Sequence, residues 1–509
     1  MLPVPLLFKR LLACLPGMPV GKDTRKRGIV MKKSGKKWLL CGLLVLLAIY
    51  AAVMLYHTYK PLPKGISYEG KTYTVHDQDI RFLSDLTYRE KGTGKRKVEQ
   101  AVYPEIYRMI DQAHQFIVAD LFLFNGYHDQ KMKVPPLAER LADRLIAKKE
   151  KEPGVRIIVI TDPINTSYGS HEAGILKRLK EHGIRVVFTH LDPLRDPTPL
   201  YSGIWHMFFQ SFGQGGTGWL PNAFGDNAPK MTLRSYLELF NIKANHRKTF
   251  TTENGTVIAS GNPHDASGWH SNIAFLVKGP VIRDVLESEQ AASDMSGGPE
   301  LPQYKGKERG KGRIAVQLLT EGKVYGRIMK EIKAAKNGDS ISMAMFYLAD
   351  RKVVRALEEA SSRGVRIRLI LDPNLNAFGH KKIGLPNQPV AQELVKKTDG
   401  KIKIRWYNTG LEQFHPKLVW IEKPGRSLFF GGSTNLTLRN LDDYNLETDL
   451  FVKAPNDAAI TKDIRRYFGR LWNNEDGTFT VSYKKHEGFS TYLLKGLYRL
   501  QEVLKLTTY

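Results

Sequence analysis

The stretch Phe414-His415-Pro416-Lys417-Leu418-Val419-Trp420-Ile421-Glu422, followed by Gly431-Gly432-Ser433-Thr434-Asn435, decides how this chain folds. Its apolar residues predict a β-strand, and in a strand residues two apart project from the same face. The imidazole of His415 and the ammonium of Lys417 are therefore expected in one site. The glycines and hydroxyls that follow are typical of a loop that approaches an anion closely.

An earlier stretch has the same order: Asn245-His246-Arg247-Lys248-Thr249-Phe250-Thr251-Thr252-Glu253, and then Ser260-Gly261-Asn262. The surroundings repeat as well, because a Gly-Val-Arg-Ile strand pattern that ends in Asp-Pro precedes each stretch, at 154–163 and at 364–373. Strand and helix patterns alternate around both, which favours an α/β sandwich. A repeat of this length with matched elements indicates two copies of one unit, with a linker expected at 297–313.

The two copies differ by an insertion. Val155 and His246 are 91 residues apart, whereas Val365 and His415 are 50 apart, so the first copy carries 41 extra residues around 197–236. This segment is apolar and aromatic, with Tyr201-Ser202-Gly203-Ile204-Trp205-His206-Met207-Phe208-Phe209 at its centre. Such an insertion beside a site predicts a lid or a membrane-contacting loop. Packing of its aromatic side chains between the two halves is the alternative, and both stay open.

Size and charge limit the class of protein. The 509 residues suffice for two or three domains with large cores. Of the net charge of +26, residues 1–37 carry +9 and the rest of the chain +17. A basic body favours phosphate-bearing partners such as anionic lipid, nucleic acid or polyphosphate. The two cysteines, Cys14 and Cys41, precede the globular part, which excludes a disulfide framework there.

Residues 38–56 form a run of nineteen residues without a charge. As a helix this run is about 28 Å long, close to the hydrocarbon thickness of a bilayer. Seven Lys and Arg residues lie between positions 25 and 37, and by the positive-inside rule they keep the N-terminus in the cytoplasm. The run therefore predicts an uncleaved anchor; a cleaved signal peptide is the main alternative, and Met31 is an alternative start.

The paired stretches resemble the phospholipase D superfamily, whose signature is HxKxxxxD followed by a GSxN-type segment, once in each half. The resemblance covers most of residues 100–480. It implies two tandem phospholipase-D-like α/β/α sandwich halves with a pseudo-twofold relation, preceded here by one N-terminal transmembrane helix. It also implies one active site without metal or cofactor, in which one histidine attacks phosphorus. The other histidine protonates the leaving alcohol and then activates the incoming water or alcohol.

Carried onto this sequence, the resemblance implies that His246, Lys248, His415 and Lys417 are catalytic. Asn262 and Asn435 are implied to bind the phosphoryl oxygens, with Ser260 and Ser433 shaping the two loops. The residues suit this chemistry independently, because imidazole acts as both nucleophile and acid or base near neutral pH. Phosphoryl transfer also needs positive charge on the equatorial oxygens, which lysine supplies.

Two positions depart from the family pattern. The motif aspartate is glutamate in both halves, at Glu253 and Glu422, a change that a backbone-anchoring position would tolerate. Many members also carry an acid that orients the catalytic histidine. Twelve residues after Asn435 stands Glu447, but twelve after Asn262 stands Ala274.

Glu447 is therefore expected to support His415, while His246 lacks this partner; Asp265 is the substitute that the sequence offers. A carboxylate on one ring nitrogen fixes the tautomer and stabilises imidazolium, which favours His415 as base or nucleophile. Family precedent gives the attack to the first-motif histidine, so the division of roles stays open.

The predicted organisation is a basic tail (1–37), an anchor (38–56), a first half (57–300) with the insertion, and a second half (301–509). The expected function is a membrane-anchored phosphatidyltransferase or phospholipase of the cardiolipin-synthase-like branch. It would act on anionic phospholipid such as phosphatidylglycerol, with the catalytic part on the extracytoplasmic side. The alternatives are a nuclease of the same superfamily, which the anchor and the insertion disfavour, and a non-catalytic binder of anionic lipid. The leucine-rich residues 489–506 predict a helix that docks on the body.

Overall fold

A computed structural model describes residues 27–129, 133–241, 243–306, 311–377, 380–487 and 490–505. The first 26 residues of the predicted basic tail lie outside the described part, as do four residues of the predicted linker. The described part contains an N-terminal helix and two nine-stranded mixed sheets covered by helices. The predicted fold class is thereby confirmed.

The chain begins with helix α1 (Arg27–Tyr59) and strand β1 (Tyr73–Val75). The first half then consists of β2 (Ile80–Glu90), β3 (Arg96–Glu99), α2 (Val102–Gln112), β4 (Phe116–Leu121), α3 (Leu137–Lys151), β5 (Arg156–Thr161), α4 (Gly174–Glu181), β6 (Arg185–Phe188), α5 (Pro199–Ile204), α6 (Leu233–Phe240), β7 (Lys248–Thr252), β8 (Gly255–Ala259), β9 (Asn272–Val277) and α7 (Val281–Met295). A π-helical turn, Trp205–Phe209, continues α5.

The second half follows the same plan with β10 (Ile314–Thr320), α8 (Glu321–Lys333), β11 (Ser340–Met345), α9 (Arg351–Ser362), β12 (Arg366–Leu371), the short pair β13 (Asn376–Ala377) and β14 (His380–Lys381), α10 (Asn387–Lys397), β15 (Lys403–Tyr407), β16 (Lys417–Lys423), β17 (Arg426–Gly432), α11 (Leu438–Leu441) and β18 (Thr448–Pro455). It ends with α12 (Ala459–Asn473), β19 (Gly477–Thr478), β20 (Thr480–Ser482) and α13 (Ser490–Leu504).

The two sheets have the same strand order. In the first half it is β2-β9-β8-β7-β4-β5-β6, and in the second it is β10-β18-β17-β16-β11-β12-β15. In each sheet the last three strands are parallel and the others antiparallel. The repeat of the Gly-Val-Arg-Ile strand and of the His-x-Lys strand in the sequence thus corresponds to a repeat of β5 with β12 and of β7 with β16.

Each sheet also takes an edge strand from the far side of the predicted boundary at residue 300. Strand β1 pairs with β10 of the second half, and β19 pairs with β2 of the first half. The segment before β1 binds the second half too, since the backbone N–H groups of Ser67 and Tyr68 donate to the side chains of Glu321 and Thr320. The division at 300 stays a prediction, but the edge strands cross it.

A shared hydrophobic core joins the two sheets. It combines Ile273 and Phe275 of β9 with residues of β16, β17 and β18. The packing is tight at Gly431, where an added Cβ would lie 2.5 Å from a ring carbon of Phe275, so only glycine fits there. This packing brings β7 and β16, which follow the two histidines, towards each other.

Helix α13 docks on the second half, but through a face different from its leucine stripe. The hydroxyl of Tyr498 donates to the carbonyl of Ala349 at 2.6 Å, and Arg499 pairs with Glu393 at 2.9 Å. Leu493, Leu497, Leu500 and Val503 remain exposed. The helix docks as expected, and Tyr498 and Arg499 supply the polar contacts while these four apolar residues face outward.

The buried Arg247 connects the two halves directly behind His246. Its guanidinium lies 3.1 Å from Glu289 of α7 and 2.8 Å from Glu321, the first residue of α8, and all three side chains are buried. Arg247→Leu leaves two carboxylates uncompensated, so we expect the free energy of unfolding to fall by about 3–5 kcal/mol. Denaturant unfolding of the detergent-solubilised protein measures this change. Lys177→Leu breaks an exposed pair with Glu172 and should leave the midpoint nearly unchanged; equal shifts in both variants would contradict the prediction.

Candidate active site

A cavity of about 490 Å³ opens between the two halves. Its floor contains four of the predicted site residues, two from each half: His246, Asn262, His415 and Asn435. Its walls and rim are largely apolar and include Phe122, Ile164, Tyr168, Phe224, Leu239, Phe240, Phe346, Tyr347, Ile383, Leu385 and Leu411. The structure therefore brings the two sequence stretches to one site with a polar floor and an apolar entrance.

Each histidine is held by the residues that lead into a strand of the other half. The backbone N–H of His246 donates to the carbonyl of Leu446 at 2.9 Å, and that of His415 donates to the carbonyl of Ser271 at 2.8 Å. Both histidines stand two residues before the first residue of a strand, Lys248 or Lys417. These reciprocal bonds fix the two imidazoles relative to each other.

The aspartates of the repeated Asp-Pro turns position the residues before the histidines. Asp162 accepts a hydrogen bond from the backbone N–H of Asn245, and Asp372 accepts one from that of Phe414, both at 2.7 Å. Burial raises the pKa of both aspartates to about 7. The sequence showed these turns as part of the repeat but gave no sign that they support the site.

The two lysines lie against the histidines that precede them. Lys248 Nζ donates to the carbonyl of His246 at 2.6 Å, and Lys417 Nζ lies 3.0 Å from the carbonyl and 2.8 Å from Nε2 of His415. Both side chains are buried. Burial lowers the pKa of Lys248 to about 7 and lowers that of Lys417 well below its usual value. A bound anion would reverse this effect, because it restores the favourable partner that burial removed.

Glu447 pairs with His246, in contrast to the expectation that it supports His415. Nδ1 of His246 lies 3.0 Å from both carboxylate oxygens of Glu447. Ser433 and Asn440 also donate to this carboxylate. Burial raises the pKa of Glu447 to about 7 and lowers the pKa of His246 well below its usual value. The expectation was wrong because strand β18 delivers Glu447 across the interface to the other half.

His415 has an amide partner instead of a carboxylate. Its Nδ1 lies 3.2 Å from Oδ1 of Asn272. The hydroxyl of Ser260 accepts from the N–H of Ile273, and that of Ser433 accepts from the N–H of Thr448, both at 2.9 Å. Asn272 directly precedes Ile273, and Glu447 directly precedes Thr448, so Asn272 and Glu447 occupy equivalent positions in the two halves.

Counting from the motif asparagines gave Ala274 because the loop after Ser260 is two residues shorter than the loop after Ser433. Ala274 is buried inside β9, where it pairs with Leu83. Asp265, the proposed substitute, accepts a hydrogen bond from the N–H of Ala138 at 2.9 Å and so caps the start of α3. Neither residue therefore serves as the partner of His246.

The two histidines thus differ in what their second nitrogen contacts. Burial lowers the pKa of His415 as well as that of His246, so both are neutral at neutral pH. A neutral imidazole that donates from Nδ1 carries its lone pair on Nε2. For His246, the carboxylate of Glu447 stabilises positive charge that develops on the ring. Asn272 gives His415 no comparable stabilisation.

Residues 328–472 match the family model described as cardiolipin synthase, PLD-like domain. This chain carries a phospholipase-D-like domain. The predicted resemblance to the phospholipase D superfamily is confirmed for this domain, whose enzymes are phosphodiesterases or phosphatidyltransferases.

Among solved structures, the chain resembles phosphatidylserine synthase from Haemophilus influenzae Rd KW20, with 12% identity, 87% of this chain and 97% of that chain covered, and a TM-score of 0.55. At this identity the likeness shows the fold. Polyphosphate kinase from Porphyromonas gingivalis is 13% identical over 85% of this chain and 54% of its own, with a TM-score of 0.40. Nuc, a phospholipase D family member from Salmonella typhimurium, is 19% identical over 33% of this chain and 99% of its own, with a TM-score of 0.26. No curated protein matches the chain by sequence.

The two motif glutamates of the phospholipase-D-like halves lie at the opposite ends of their strands from the histidines. Glu253 accepts hydrogen bonds from the backbone N–H groups of His114 and Gln115, and Glu422 pairs with Arg465 at 2.6 Å. The motif acid thus anchors the chain before β4 in the first half and helix α12 in the second. Glutamate in place of the family's aspartate suits both contacts.

Two equivalent phenylalanines lie beside the histidines. The ring of Phe122 lies 4.9 Å from that of His246, and the ring of Phe346 lies 4.8 Å from that of His415. Each ring also lies beside a lysine ammonium, Lys248 at 4.8 Å and Lys417 at 5.3 Å. Neither phenylalanine was predicted from the sequence, although each directly follows one of the matching strands, β4 or β11.

The insertion packs mainly on the first half and on α1. Trp205 is buried under the guanidinium of Arg234 at 4.3 Å, and Phe224 reaches the wall of the cavity. Leu200, Phe208, Phe212 and Trp219 are exposed rather than packed between the halves. The alternative in which the aromatic side chains simply fill the space between the halves is therefore wrong.

Proposed function

We propose that this protein is a membrane-anchored phosphatidyltransferase or phospholipase that cleaves phospholipid phosphodiesters through a phosphohistidine, and that it is cardiolipin-synthase-like. The observation that carries the proposal is the cavity itself. Two neutral histidines with different partners share a floor with phosphate-binding groups, beneath an apolar rim. A phospholipid has the matching distribution of charge, with a phosphodiester at one end and acyl chains at the other.

In the first step, His246 is the nucleophile. Its Nε2 lone pair attacks phosphorus, the bond from phosphorus to the headgroup oxygen breaks, and the leaving alkoxide takes the Nε2 proton of His415. The ring of His415 carries this proton at the start of the step because the bound phosphate anion raises its pKa and makes it an imidazolium. The carboxylate of Glu447 stabilises the positive charge that the attack places on the ring of His246. The products are an N-phosphatidyl His246 and a free alcohol, which is glycerol when phosphatidylglycerol is the substrate.

In the second step, His415 acts as base. Its neutral Nε2 accepts the proton of an incoming hydroxyl, whose oxygen attacks phosphorus while the phosphorus–nitrogen bond breaks. The hydroxyl of a second phosphatidylglycerol gives cardiolipin, and water gives phosphatidic acid. The N–H donors of Lys248, Lys417, Asn262 and Asn435 supply positive charge and hydrogen bonds to the phosphoryl oxygens in both steps. Ser260 and Ser433 hold the loops that present the asparagines.

The anchor concentrates the enzyme at its substrate. Within the described residues, one helix, Gly35–Tyr59, has the length and the mean hydropathy, 2.6, to cross a membrane. Lysines and arginines before it favour an N-terminus in the cytoplasm, which places the catalytic part on the extracytoplasmic side. Tethering to the bilayer raises the effective lipid concentration at the cavity.

The deciding experiment incubates the purified full-length protein with phosphatidylglycerol in nanodiscs. We expect glycerol release together with cardiolipin or phosphatidic acid, and no product from His246→Ala or His415→Ala. A panel of single-stranded and duplex DNA run in parallel tests the nuclease alternative. Products from DNA alone would overturn the lipid assignment, and lipid binding without any product would leave the non-catalytic binder.

A further inference from the structure

Helix α5 of the insertion lies directly against α1. The hydroxyl of Tyr50 donates to the carbonyl of Leu200 at 2.5 Å. The ring of Tyr50 covers Gly203, where an added Cβ would lie 2.6 Å from a ring carbon. Further along α1, the rings of His57 and His206 are stacked, with centroids 3.4 Å apart. These contacts hold α5 beside the membrane helix.

The same junction contains a buried carboxylate that holds the elements together. Asp196 accepts hydrogen bonds from His206 and Ser202 and lies 2.6 Å from the ammonium of Lys243. The ligand atoms of His57, Asp196 and His206 lie within 4.8 Å of one another. Lys243 already pairs with the carboxylate of Asp196. The cluster of His57, Asp196 and His206 is therefore a hydrogen-bonded contact that joins α1 to the insertion.

The contact with Tyr50 places α5 at a definite level along α1. Tyr50 stands six residues before the end of the apolar run 38–56, which corresponds to roughly 9 Å along a helix axis. Residues 35–48 of α1 are exposed and stand clear of the body. If α1 is the membrane span of the proposed function, α5 lies within the outer part of the same bilayer. Helices that lie in a membrane interface reach a similar depth of about 5–10 Å.

The outward face of this segment is apolar. Leu200, Ile204 and Phe208 follow one another at helical spacing and are 48%, 40% and 49% exposed, whereas Trp205 on the other face is buried. A row of large apolar side chains that faces away from the body marks a surface for a partner. With α1 as the membrane span of the proposed function, lipid acyl chains surround it at this level and are the partner within reach of this face.

The mouth of the cavity opens beside this stripe. Thr198, directly before α5, donates to the carbonyl of Phe240 at 3.4 Å, and the rings of Tyr201 and Phe240 are 5.9 Å apart. Phe240 lines the cavity and is 57% exposed. Two further rim residues, Ile383 and Leu411, are also exposed. The rim thus continues the apolar surface of α5.

Helix α13 contributes a second apolar stripe at the mouth. Gln501 lines the cavity, and the exposed Leu493, Leu497, Leu500 and Val503 form one face of the helix. The face around Tyr498 is held to the second half, and Arg499 at its edge pairs with Glu393. The leucines are therefore presented outward by a helix whose orientation is fixed.

We propose that α5 and α13 form a membrane-contacting surface on both sides of the cavity mouth, so that a phospholipid enters the cavity sideways from the leaflet without leaving the bilayer. Helix α1 fixes the depth of this surface in the bilayer. The inference rests on the proposed function, which supplies both the membrane position of α1 and the lipid that enters the cavity. It assigns the insertion a role that the reaction itself does not require.

A labelling experiment tests the surface independently of catalysis. Cys14 and Cys41 are replaced by serine, and a nitroxide is attached at Ile204→Cys or at Pro424→Cys of the full chain in phosphatidylglycerol nanodiscs. Pro424 is exposed in the turn between β16 and β17, at the end of β16 remote from His415. We expect the label at 204 to be relaxed more by oxygen than by an aqueous nickel chelate, and the label at 424 to show the reverse. Equal access of the chelate to both positions would overturn the proposal.

An activity comparison tests the route of the lipid. Leu200→Ser/Ile204→Ser/Phe208→Ser should lower turnover of bilayer phosphatidylglycerol at least tenfold and leave turnover of monomeric short-chain phosphatidylglycerol unchanged. The control Leu200→Met/Ile204→Leu/Phe208→Leu keeps the stripe apolar and should retain bilayer activity. Equal loss on both substrates would refute lateral entry. A wild type inactive on both would refute the proposed function, while the labelling result would still decide the surface.

Discussion

His246→Asn is expected to lower turnover of phosphatidylglycerol by roughly 10⁴–10⁶-fold, the loss that follows when a covalent nucleophile is removed. Asparagine keeps a polar group in the cavity but has no lone pair that can attack phosphorus at neutral pH. Release of glycerol from labelled phosphatidylglycerol measures the loss. His190→Asn, at an exposed histidine, should retain wild-type turnover.

The division of labour between the two histidines has its own signature in His415→Asn. With a phosphodiester whose leaving group is a phenolate, the first step needs no proton, so the phosphoenzyme should form and then persist because its base is missing. Mass spectrometry of peptides from rapidly quenched protein would locate the phosphoryl group on His246. A phosphoryl group found on His415 of the His246→Asn variant would reverse the assignment.

Glu447→Gln is expected to lower the rate of phosphohistidine formation by roughly 10³–10⁴-fold, as the loss of the orienting carboxylate does in other histidine-dependent sites. A glutamine cannot accept from Nδ1 of His246, Ser433 and Asn440 at once, so the ring loses its fixed tautomer. The matched change in the other half, Asn272→Ala, removes only an amide from His415, and a loss of about ten- to hundredfold is expected. Equal losses in the two variants would show that the asymmetry between the histidines has no catalytic consequence.

The pH profile gives a second measurement on the same pair. Burial raises the pKa of Glu447 to about 7. Below this pH the carboxylate takes up a proton, donates to Nδ1 of His246 and moves the lone pair away from Nε2. Wild-type activity should therefore rise as the pH increases through about 7, and the Glu447→Gln variant should lose this limb. A wild-type rate that stays constant from pH 5 to pH 8 would argue against this role of the pair.

The sequence was sufficient to predict the parts of the site that occur once in each half. The His-x-Lys stretches and the Gly-Val-Arg-Ile strands that precede them carried the fold and the residues on the cavity floor. The crossed pairing of Glu447 with His246 was out of reach, because a loop length that differs by two residues shifts every count made from Asn262. Asn272 could have been found by aligning the two halves on Ser260 and Ser433, whose hydroxyls bind equivalent backbone groups.

The insertion illustrates a different limit. Its aromatic and apolar residues indicated a contact surface, but composition alone could not separate a surface buried between the halves from one that faces outward. The choice between these two arrangements depends on the contact between Tyr50 and Gly203. These residues are 153 positions apart, so their contact forms only when the chain has folded. Small residues such as Gly203 show their role only when the opposing ring is in place.

The pairing of β1 with β10 also sets an order of events during synthesis. Strand β1 leaves the ribosome directly after α1, yet its partner strand is made some 240 residues later. At about 5–20 residues per second the delay is roughly 12–50 s. During this interval the first half can form most of its sheet while the segment next to the bilayer still has an open backbone edge. Arrival of β10 then closes this edge, and the active site is completed only after Glu447, much further along the chain, has been made.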